Sequence, residues 1–258
     1  LIPLDQRDLP TACKLLQILQ GGGVEIYEAQ NSFVADEVTY PSKTFIIPLA
    51  QPFRAYVKDL MERKAYPMLM TREGAPDLPY DEASWTLPLQ MGVKALAVTN
   101  SFQAEMKLLA KIEMPPTRFL GKGSGYYLLR NETNNESILI NRLHKKGLKV
   151  YFSEKPFIHD SQSFPAGALV LRASEISESM LSALAKDLGI SIFASSSEPK
   201  TRLLPLNKPK IGIYQSWVAN TDEGWIRWVL EQFEFPFKLI HNEAIKAGNL
   251  SSSYTHII

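Results

Sequence analysis

Hydrophobic side chains recur with two different periods in the first quarter of the chain. Over residues 9–20 they fall three or four positions apart, and Gly21-Gly22-Gly23 follows, which predicts a helix that ends at the glycines. Residues 24–27 alternate between apolar and polar, and residues 44–47 form a short apolar run, so both segments predict strands. Helical spacing resumes over residues 53–63. The predicted order is helix, strand, strand, helix.

The same order of patterns returns in the second half of the chain. Helical spacing covers residues 135–146 and 177–187, and strand patterns cover residues 148–152 and 168–171. GGVEIYEA aligns with KGLKVYFS, and YPSKTFIIPLA with FPAGALVLRAS. In both copies an aromatic residue and a proline lead into a strand. We predict a duplicated α/β unit, at about residues 9–64 and 135–188, with chance similarity as the alternative.

The remaining patterns complete an α/β fold. Residues 195–208 are rich in serine, proline and lysine, so we predict a linker at 199–209 between an α/β region at 1–198 and a last segment at 210–258. Strands that alternate with helices predict parallel or mixed sheets flanked by helices. The other predicted strands lie at residues 93–99, 126–129, 190–194, 211–214, 237–240 and 255–258, and the other helices at 223–233 and 244–247.

Composition and charge restrict the class of protein and its partners. The chain has 258 residues, enough for one large or two ordinary domains, and its 45% of hydrophobic and 21% of charged residues are typical of a globular protein. A net charge of +1 gives no electrostatic basis for binding nucleic acid or an anionic membrane. The apolar runs have the length of strands, far below the about 20 residues that cross a bilayer. The chain begins at Leu1 without a methionine, which indicates a fragment or a processed chain.

None of the four histidines has the spacing of a zinc site. A carboxypeptidase-type site needs His-x-x-Glu and a distant histidine, so that two imidazoles and a carboxylate leave one position open for water. The residues three positions after His144, His159 and His241 are glycine, glutamine and alanine, and His256 lies in the last predicted strand. We therefore predict no metal site and expect each histidine to be an ordinary surface or turn residue.

The sequence also presents no motif for a catalytic nucleophile or a phosphate-binding loop. Cys13 is the only cysteine, which excludes an internal disulfide, and its apolar neighbours predict a buried structural thiol. The glycines of GKGSG, residues 121–125, precede a strand rather than a helix, which favours a flexible connector over a phosphate-binding loop. No nucleophile elbow of the G-x-S-x-G type occurs, and the serines at 161–163 and 195–197 predict polar turns. We predict no catalytic residue in this chain.

A candidate ligand site follows the predicted strand at 211–214. Asp222 and Glu223 stand at the start of the next helix, where acidic side chains stabilise the helix dipole. In an α/β sheet the same place is the mouth of the ligand crevice. An aromatic cluster around it is either a sugar-stacking face or core, and core packing is favoured because Trp225 and Trp228 share one helix face. The candidate ligand-binding residues are Trp217, Asp222 and Glu223.

Three stretches carry a resemblance to a known family. They are IIPLAQPFRAYVKDLMERKAYP (residues 46–67), YDEASWTLPLQMGV (80–93) and YQSWVANTDEGWIRWVLEQFEFPF (214–237). Together they resemble large bacterial zinc carboxypeptidase-like proteins, in which a carboxypeptidase A-type metallopeptidase domain comes first. The resemblance is to the long region after that domain, which ends in a domain similar to class I glutamine amidotransferases. It covers nearly the whole chain.

The resemblance implies that catalysis belongs to another part of the parent protein than this chain. The parent is expected to be an exported, periplasmic or extracellular zinc metallocarboxypeptidase that acts on peptides, with its zinc ligands and catalytic glutamate upstream of Leu1. Residues 210–258 match the opening of the amidotransferase-like domain, which has a flavodoxin-like sheet, and no glutaminase activity is expected there. No cofactor is expected in this chain, and its expected partners are its own upstream peptidase domain and a peptide or small molecule.

Three functions of different classes remain open from the sequence. The leading one is a non-catalytic, ancillary region of a carboxypeptidase-like protein, which binds substrate or organises the domains. The alternative is an independent small-molecule or glycan-binding module that uses Asp222 and Trp217. An amidohydrolase is the least favoured, because the sequence presents no nucleophile and base pair.

Overall fold

The structure is a computed structural model that describes residues 1–63, 65–78, 85–218 and 220–258. It is an α/β fold with a mixed sheet flanked by helices, as the sequence predicts. The chain divides into two compact units, Leu1–Met114 and Pro115–Ile258. This division differs from the predicted one, which separated residues 1–198 from residues 210–258.

The first unit is built on a small antiparallel sheet with two main helices. Strand β1 lies between β4 and β5, and Ile2 extends the sheet by a bridge to Phe45. Helix α1 begins where Asp8 Oδ1 accepts a hydrogen bond from the Thr11 N–H, 2.9 Å away. The elements are α1 (Leu9–Gly21), β1 (Tyr27–Ala29), β2 (Phe33–Ala35), β3 (Val38–Tyr40), β4 (Phe45–Ile46), α2 (Arg54–Met61), α3 (Leu87–Gln90) and β5 (Met106–Leu108).

The second unit holds a six-stranded mixed sheet and a three-stranded parallel sheet. The six strands lie in the order β13-β8-β11-β7-β12-β6, and only the β12–β6 pair is parallel among them. The strands of this sheet are β6 (Arg118–Lys122), β7 (Tyr126–Leu129), β8 (Val150–Ser153), β11 (Leu169–Arg172), β12 (Ser191–Ser195) and β13 (Leu203–Leu206). The same part of the chain contains the helices α4 (Asn135–Lys145) and α5 (Glu178–Ala185) and a separate hairpin of β9 (Phe157–His159) and β10 (Gln162–Phe164). The rest are β14 (Ile211–Tyr214), α6 (Thr221–Gln232), β15 (Phe237–Ile240), α7 (Asn242–Ala247), α8 (Leu250–Ser253) and β16 (His256–Ile257).

The predicted linker at 199–209 contains a strand. β13 pairs antiparallel with β8, and because it is the edge strand, Pro205 needs no ladder hydrogen bond on its outer side. The His144 ring of α4 also bonds Leu206 O at 3.0 Å. Further on, Arg142 of α4 forms an ion pair with Glu234 at 2.7 Å, so residues 210–258 are tied to the same unit. The linker prediction was wrong for residues 203–206, because composition does not reveal edge pairing.

The two units repeat one pattern of elements. Helix, strand, hairpin, strand and helix follow one another in both, and equivalent residues differ by 124 positions: α2 begins at Arg54 and α5 at Glu178 (178 minus 54). The sequence patterns missed the hairpins, β2–β3 and β9–β10, inside the repeat. The same backbone hydrogen bonds recur at this offset: Val24 to Leu19 and Leu148 to Leu143 (both 3.1 Å), Ala29 to Thr44 (3.0 Å), and Ser153 to Ala168 (2.9 Å).

The hairpins are equivalent in their backbone and in their aromatic packing. Two residues with positive φ form each turn, Asp36 and Glu37 in the first and Asp160 and Ser161 in the second, as a two-residue type I′ hairpin requires. An aromatic pair stacks across each hairpin. The ring centroids lie 5.4 Å apart for Phe33 and Tyr40, and 5.1 Å apart for Phe157 and Phe164. The aromatic residue before each predicted proline turn is therefore a core anchor.

Residues 93–99 do not form the regular strand that the sequence predicts. They nevertheless run beside the start of the chain, where Leu96 N–H donates to Leu1 O at 2.9 Å. In the second unit Phe193 of β12 pairs with Leu128 of β7 in the same way. Residues 94–98 therefore hold the position of β12, at an offset of 97 (193 minus 96). β5 and β13 are related by the same offset. Gln30 N–H donates to Glu105 O just before β5, and Glu154 N–H donates to Arg202 O just before β13 (202 minus 105).

The GKGSG segment is not a flexible connector. Gly121 lies in β6 beside Ala194 of β12, and a Cβ there would lie 2.6 Å from the Ala194 carbonyl oxygen. A Cβ at Gly123 would collide with the backbone of Ser195 and Ser196. The glycines are needed because the backbone of this segment passes directly against the end of β12. The prediction failed because sequence alone does not distinguish close backbone approach from flexibility.

Candidate functional site

The first unit contains an open cavity of about 1260 Å³. Ile46 of β4 and Ile47 after it line its wall, α2 contributes Val57 and Met61, and Val93 with residues 95–98 forms another side. These side chains are apolar, so the cavity favours an apolar group. Ligand sites of proteins are concave and mostly apolar in this way, with typical volumes of about 300–1,000 Å³. This cavity is large enough for several amino-acid side chains.

Polar groups surround the apolar wall. On α2, Lys58 Nζ lies 3.2 Å from Glu62 Oε1, an ion pair on the cavity rim. Elsewhere on the rim, Asn31 Nδ2 donates to Glu105 Oε2 at 2.7 Å. Asn100 is held at the rim by Asp36, which accepts from its side chain at 2.9 Å. The rim therefore offers both charges and amide groups to the polar ends of a ligand.

The carboxylate of Asp36 fixes one end of this rim. The Thr99 N–H donates to Asp36 Oδ2 at 3.0 Å, and this bond, with others from Asn100, lowers the pKa of the Asp36 carboxyl. The carboxylate thus joins the β2–β3 turn to the segment that follows residues 94–98. Sequence patterns gave no sign of this contact, because its partners are 63 residues apart.

The predicted ligand-binding residues lie at the carboxyl end of the parallel sheet. Trp217 is 87% exposed in the loop after β14. Asp222 is exposed in the first turn of α6, and its N–H donates to Asn220 Oδ1 at 2.9 Å, which makes Asn220 the helix cap. Glu223 lies 3.7 Å from Arg227 in an ion pair along α6. The sequence placed all three beside one strand end, and within the described residues the polar contacts of the two acids are with Asn220 and Arg227 rather than with Trp217.

Core packing of the α6 tryptophans is not observed. Trp225 is 66% exposed and Trp228 is 49% exposed, and their rings meet edge to face with centroids 6.0 Å apart. No side chain of α6 is buried within the part of the chain that the structure describes. The prediction was wrong because the i, i+3 spacing identifies a shared face but not what covers it.

A buried histidine–serine pair was missed by the sequence analysis. His159 Nε2 lies 2.6 Å from Ser195 Oγ, with 8% of the histidine and 2% of the serine exposed. His159 is thus not a surface residue, and Ser195 ends a strand rather than a polar turn. The one sign of this pair in the sequence comes from the repeat. The second copy has a histidine and a serine where the first has the apolar residues Ala35 and Val98 (159 minus 124; 195 minus 97). A nucleophilic serine also has to reach substrate, and this one is enclosed, so the pair stabilises the fold.

Replacing Ser195 with alanine is expected to lower the free energy of unfolding by about 1–3 kcal/mol, because the buried imidazole loses its hydrogen-bond partner. Urea unfolding followed by circular dichroism measures the change. Ser197→Ala is the control, since Ser197 is exposed and bonds Ser195 through its backbone alone. Equal stability of the two variants would contradict a structural role for the pair.

The other predictions about chemistry concern single residues. Cys13 is buried in the core of the first unit, as expected, and burial together with the nearby Asp8 raises its pKa to about 11. Burial lowers the pKa of His144. Among the residues that the structure describes, no group of three or more histidine, cysteine, aspartate or glutamate side chains is placed to hold a metal ion. None of the described helices is both long and apolar enough to span a bilayer.

Comparison with known proteins does not assign the chain to a family. No protein-family model, no curated protein and no solved structure matches it.

Proposed function

We propose that this chain is a non-catalytic, ancillary region of a zinc carboxypeptidase-like protein, and that the cavity of its first unit binds the peptide substrate. One observation carries the proposal. Two of the three segments that resemble that family contribute to the cavity wall, one with residues between 46 and 63 and the other with residues between 86 and 93. The start of the second segment, residues 80–84, lies outside the described residues. A family-like sequence that lines part of an open apolar cavity favours ligand binding over a purely connecting role.

The parallel sheet of residues 210–258 supports the second part of the resemblance. β14 lies between β15 and β16, so the strand order is second, first, third. Flavodoxin-like sheets begin in this order. We infer that this segment opens a domain similar to glutamine amidotransferases, without glutaminase activity, and that it serves the organisation of an exported parent protein.

The zinc of the parent belongs, in this proposal, to the peptidase domain upstream of Leu1. The purified chain is expected to retain much less than one zinc per molecule after exposure to the metal and dialysis, as measured by elemental analysis. Release of C-terminal residues from peptides by this chain alone is not expected. A stoichiometric zinc content would contradict the proposal, since it would place metal chemistry in the ancillary region.

Peptide binding tests the proposal directly. N-acetylated tripeptides with a central phenylalanine are titrated into the protein in a calorimeter, and saturable binding is expected. Ala97→Trp fills the cavity from its exposed wall, so it is expected to weaken binding by about tenfold or more, equivalent to about 1.4 kcal/mol. Val34→Trp is the matched control, because Val34 is exposed on the same unit and does not line the cavity. Absence of binding, or binding that both variants leave unchanged, would contradict the proposal.

Trp217 favours the alternative, a small-molecule or glycan-binding module. Its ring is almost fully exposed at the carboxyl end of β14, where β15 and β16 lie on opposite sides of the strand. Such a switch point is where open α/β sheets bind ligands. In the same titrations, a loss of binding in Trp217→Ala together with unchanged binding in Ala97→Trp would support this alternative.

A further inference from the structure

The antiparallel sheet of the first unit ends on one side at β5. Among the described strands, β5 pairs with β1 alone. Glu105 O accepts and Leu109 N–H donates a hydrogen bond on the β1 side, at 2.8 and 2.9 Å. Since successive residues of a strand direct their backbone groups to opposite sides, Met106 and Leu108 direct theirs outward. An edge of this kind is a template for another strand.

The second unit has a proline on the equivalent edge. β13 is equivalent to β5 at the offset of 97, and it is likewise the last strand on its side of the described sheet. Pro205 of β13 takes the place of Leu108 (205 minus 97), and a proline has no N–H to offer a further strand. The open edge is therefore a property of the repeat, and the first unit keeps there a donor that the second unit lacks.

The side chains of β5 are exposed on both faces of the strand. Met106 and Leu108 are 44% and 51% exposed on one face, and Lys107 is exposed on the other. Glu105, just before β5, shares the Lys107 face because side chains alternate along a strand. The strand therefore carries an apolar row on one face and a pair of opposite charges on the other.

Charge complementarity selects one antiparallel register for two copies of β5. A register centred on Lys107 opposes two lysines, and one centred on Glu105 opposes two glutamates. A register centred on Met106 opposes Glu105 of each copy to Lys107 of the other, and opposite charges stabilise cross-strand pairs. The same register aligns Leu108 with Ala104 of the second copy, so the other face of the contact is apolar. It also opposes residues whose backbone groups point outward, as hydrogen bonding requires.

We propose that two copies of this chain associate through β5, with the two strands paired antiparallel about a two-fold axis at Met106. The sheets β4-β1-β5 of the two copies then form one continuous six-stranded sheet. A two-fold interface uses the same surface on both copies, and β5 is complementary to itself in its backbone, apolar and charged groups. The inference goes beyond the proposed function, because it concerns the association of the chain with itself.

Sedimentation equilibrium over a wide range of protein concentrations tests the inference, and a monomer–dimer equilibrium is expected. Leu108→Pro introduces the residue of β13 and removes an outward N–H, so it is expected to weaken dimerisation about tenfold or more. Leu108→Ala is the matched control. It keeps the N–H and shortens the side chain, and it is expected to weaken dimerisation less than about threefold. Circular dichroism checks that both variants fold.

Charge variants test the register without changing the backbone. Lys107→Glu opposes glutamates in both cross-strand pairs, so it is expected to weaken dimerisation about tenfold. Combining it with Glu105→Lys makes the opposed charges opposite again, and the dimerisation constant is expected to return to within about threefold of the original value. Lys145→Glu is the control for net charge, because Lys145 is exposed in the second unit.

Three outcomes would overturn the inference. The first is a chain that stays monomeric at all concentrations. The second is a dimer that Leu108→Pro and Lys107→Glu leave unchanged, which would place the contact elsewhere, for instance at the exposed tryptophans of α6. The third is a dimer that Lys107→Glu weakens and the exchange of both charges does not restore, which would mean that the two copies do not meet in the register centred on Met106.

Discussion

Replacing Phe164 with alanine is expected to lower the free energy of unfolding of the second unit by about 3–5 kcal/mol. Phe164 is fully buried at the end of β10. Its ring stacks on Phe157 and meets Phe193 of β12 edge to face, with centroids 5.4 Å apart. Truncation therefore leaves a void in the small core between the hairpin and the sheet, in addition to the lost transfer free energy. Denaturant unfolding monitored by circular dichroism measures the effect.

Ile158→Ala is the control for this prediction. Ile158 stands in the same hairpin but is 76% exposed, so its truncation is expected to change the free energy of unfolding by less than about 0.5 kcal/mol. A loss below about 1 kcal/mol for Phe164→Ala would mean that the hairpin does not pack on the sheet as the structure has it.

Gly123→Ala is expected to destabilise the second unit by about 2–4 kcal/mol. Its φ of 158° lies at the limit of the region that only glycine adopts readily, and a Cβ would collide with the Ser195 and Ser196 backbone. The collision forces a backbone shift, which costs about 1–3 kcal/mol, and the unfavourable φ adds about 1 kcal/mol. Since backbone atoms cannot rotate away as a side chain can, the shift moves the end of β12.

Gly167→Ala provides the comparison for Gly123→Ala. Gly167 also has a positive φ, 84°, but a Cβ there would meet no atom within 4 Å. The equivalent residue of the first unit is Lys43, with φ of 68°, so the repeat already accepts a side chain at this place. We expect a loss of about 1 kcal/mol. Equal effects of the two variants would show that φ alone, and not close approach, explains the glycines of GKGSG.

The long helices and the buried strands could be predicted from the sequence, because their patterns are local. α1 ends at Gly21, the first of the predicted glycines, α4 ends two residues before Gly147, and β14 and β15 have the predicted bounds. The repeat was predictable because its two copies need the same aromatic residue and turn. The short hairpin strands were not, since β2, β3, β9 and β10 have three residues each and no measurable period.

Features that depend on contacts between residues far apart in the chain could not be predicted from the sequence. Pro205 is typical of a linker in sequence. It fits a strand because β13 is an edge strand that pairs with β8 on one side only. The cavity is lined by Leu1 and by residues within 31–33, 46–63 and 86–106, whose approach no periodicity indicates. His159 and Ser195 are 36 residues apart, and they become a pair only when the hairpin folds onto β12. The loop and helix that carry Trp217, Asp222 and Glu223 follow β14 directly in the chain, and ligand binding by these residues stays a prediction.

The two units share backbone hydrogen bonds at two offsets, 124 residues for the earlier part of the repeat and 97 residues for the later part. In the first unit, residues 95–98, which take the place of β12, are part of the cavity wall and include two alanines. The proposed function places the peptide against this wall.

Amide chemical-shift mapping tests the central claim, that the cavity of the first unit is the peptide site. An N-acetylated tripeptide with a central phenylalanine is added to ¹⁵N-labelled protein, and ¹H–¹⁵N spectra are recorded through the titration. We predict that the largest shifts belong to Ala95, Ala97 and their neighbours on the cavity wall, and that they saturate together. Largest shifts in residues 215–223 beside Trp217, or in β12 of the second unit, would contradict the claim.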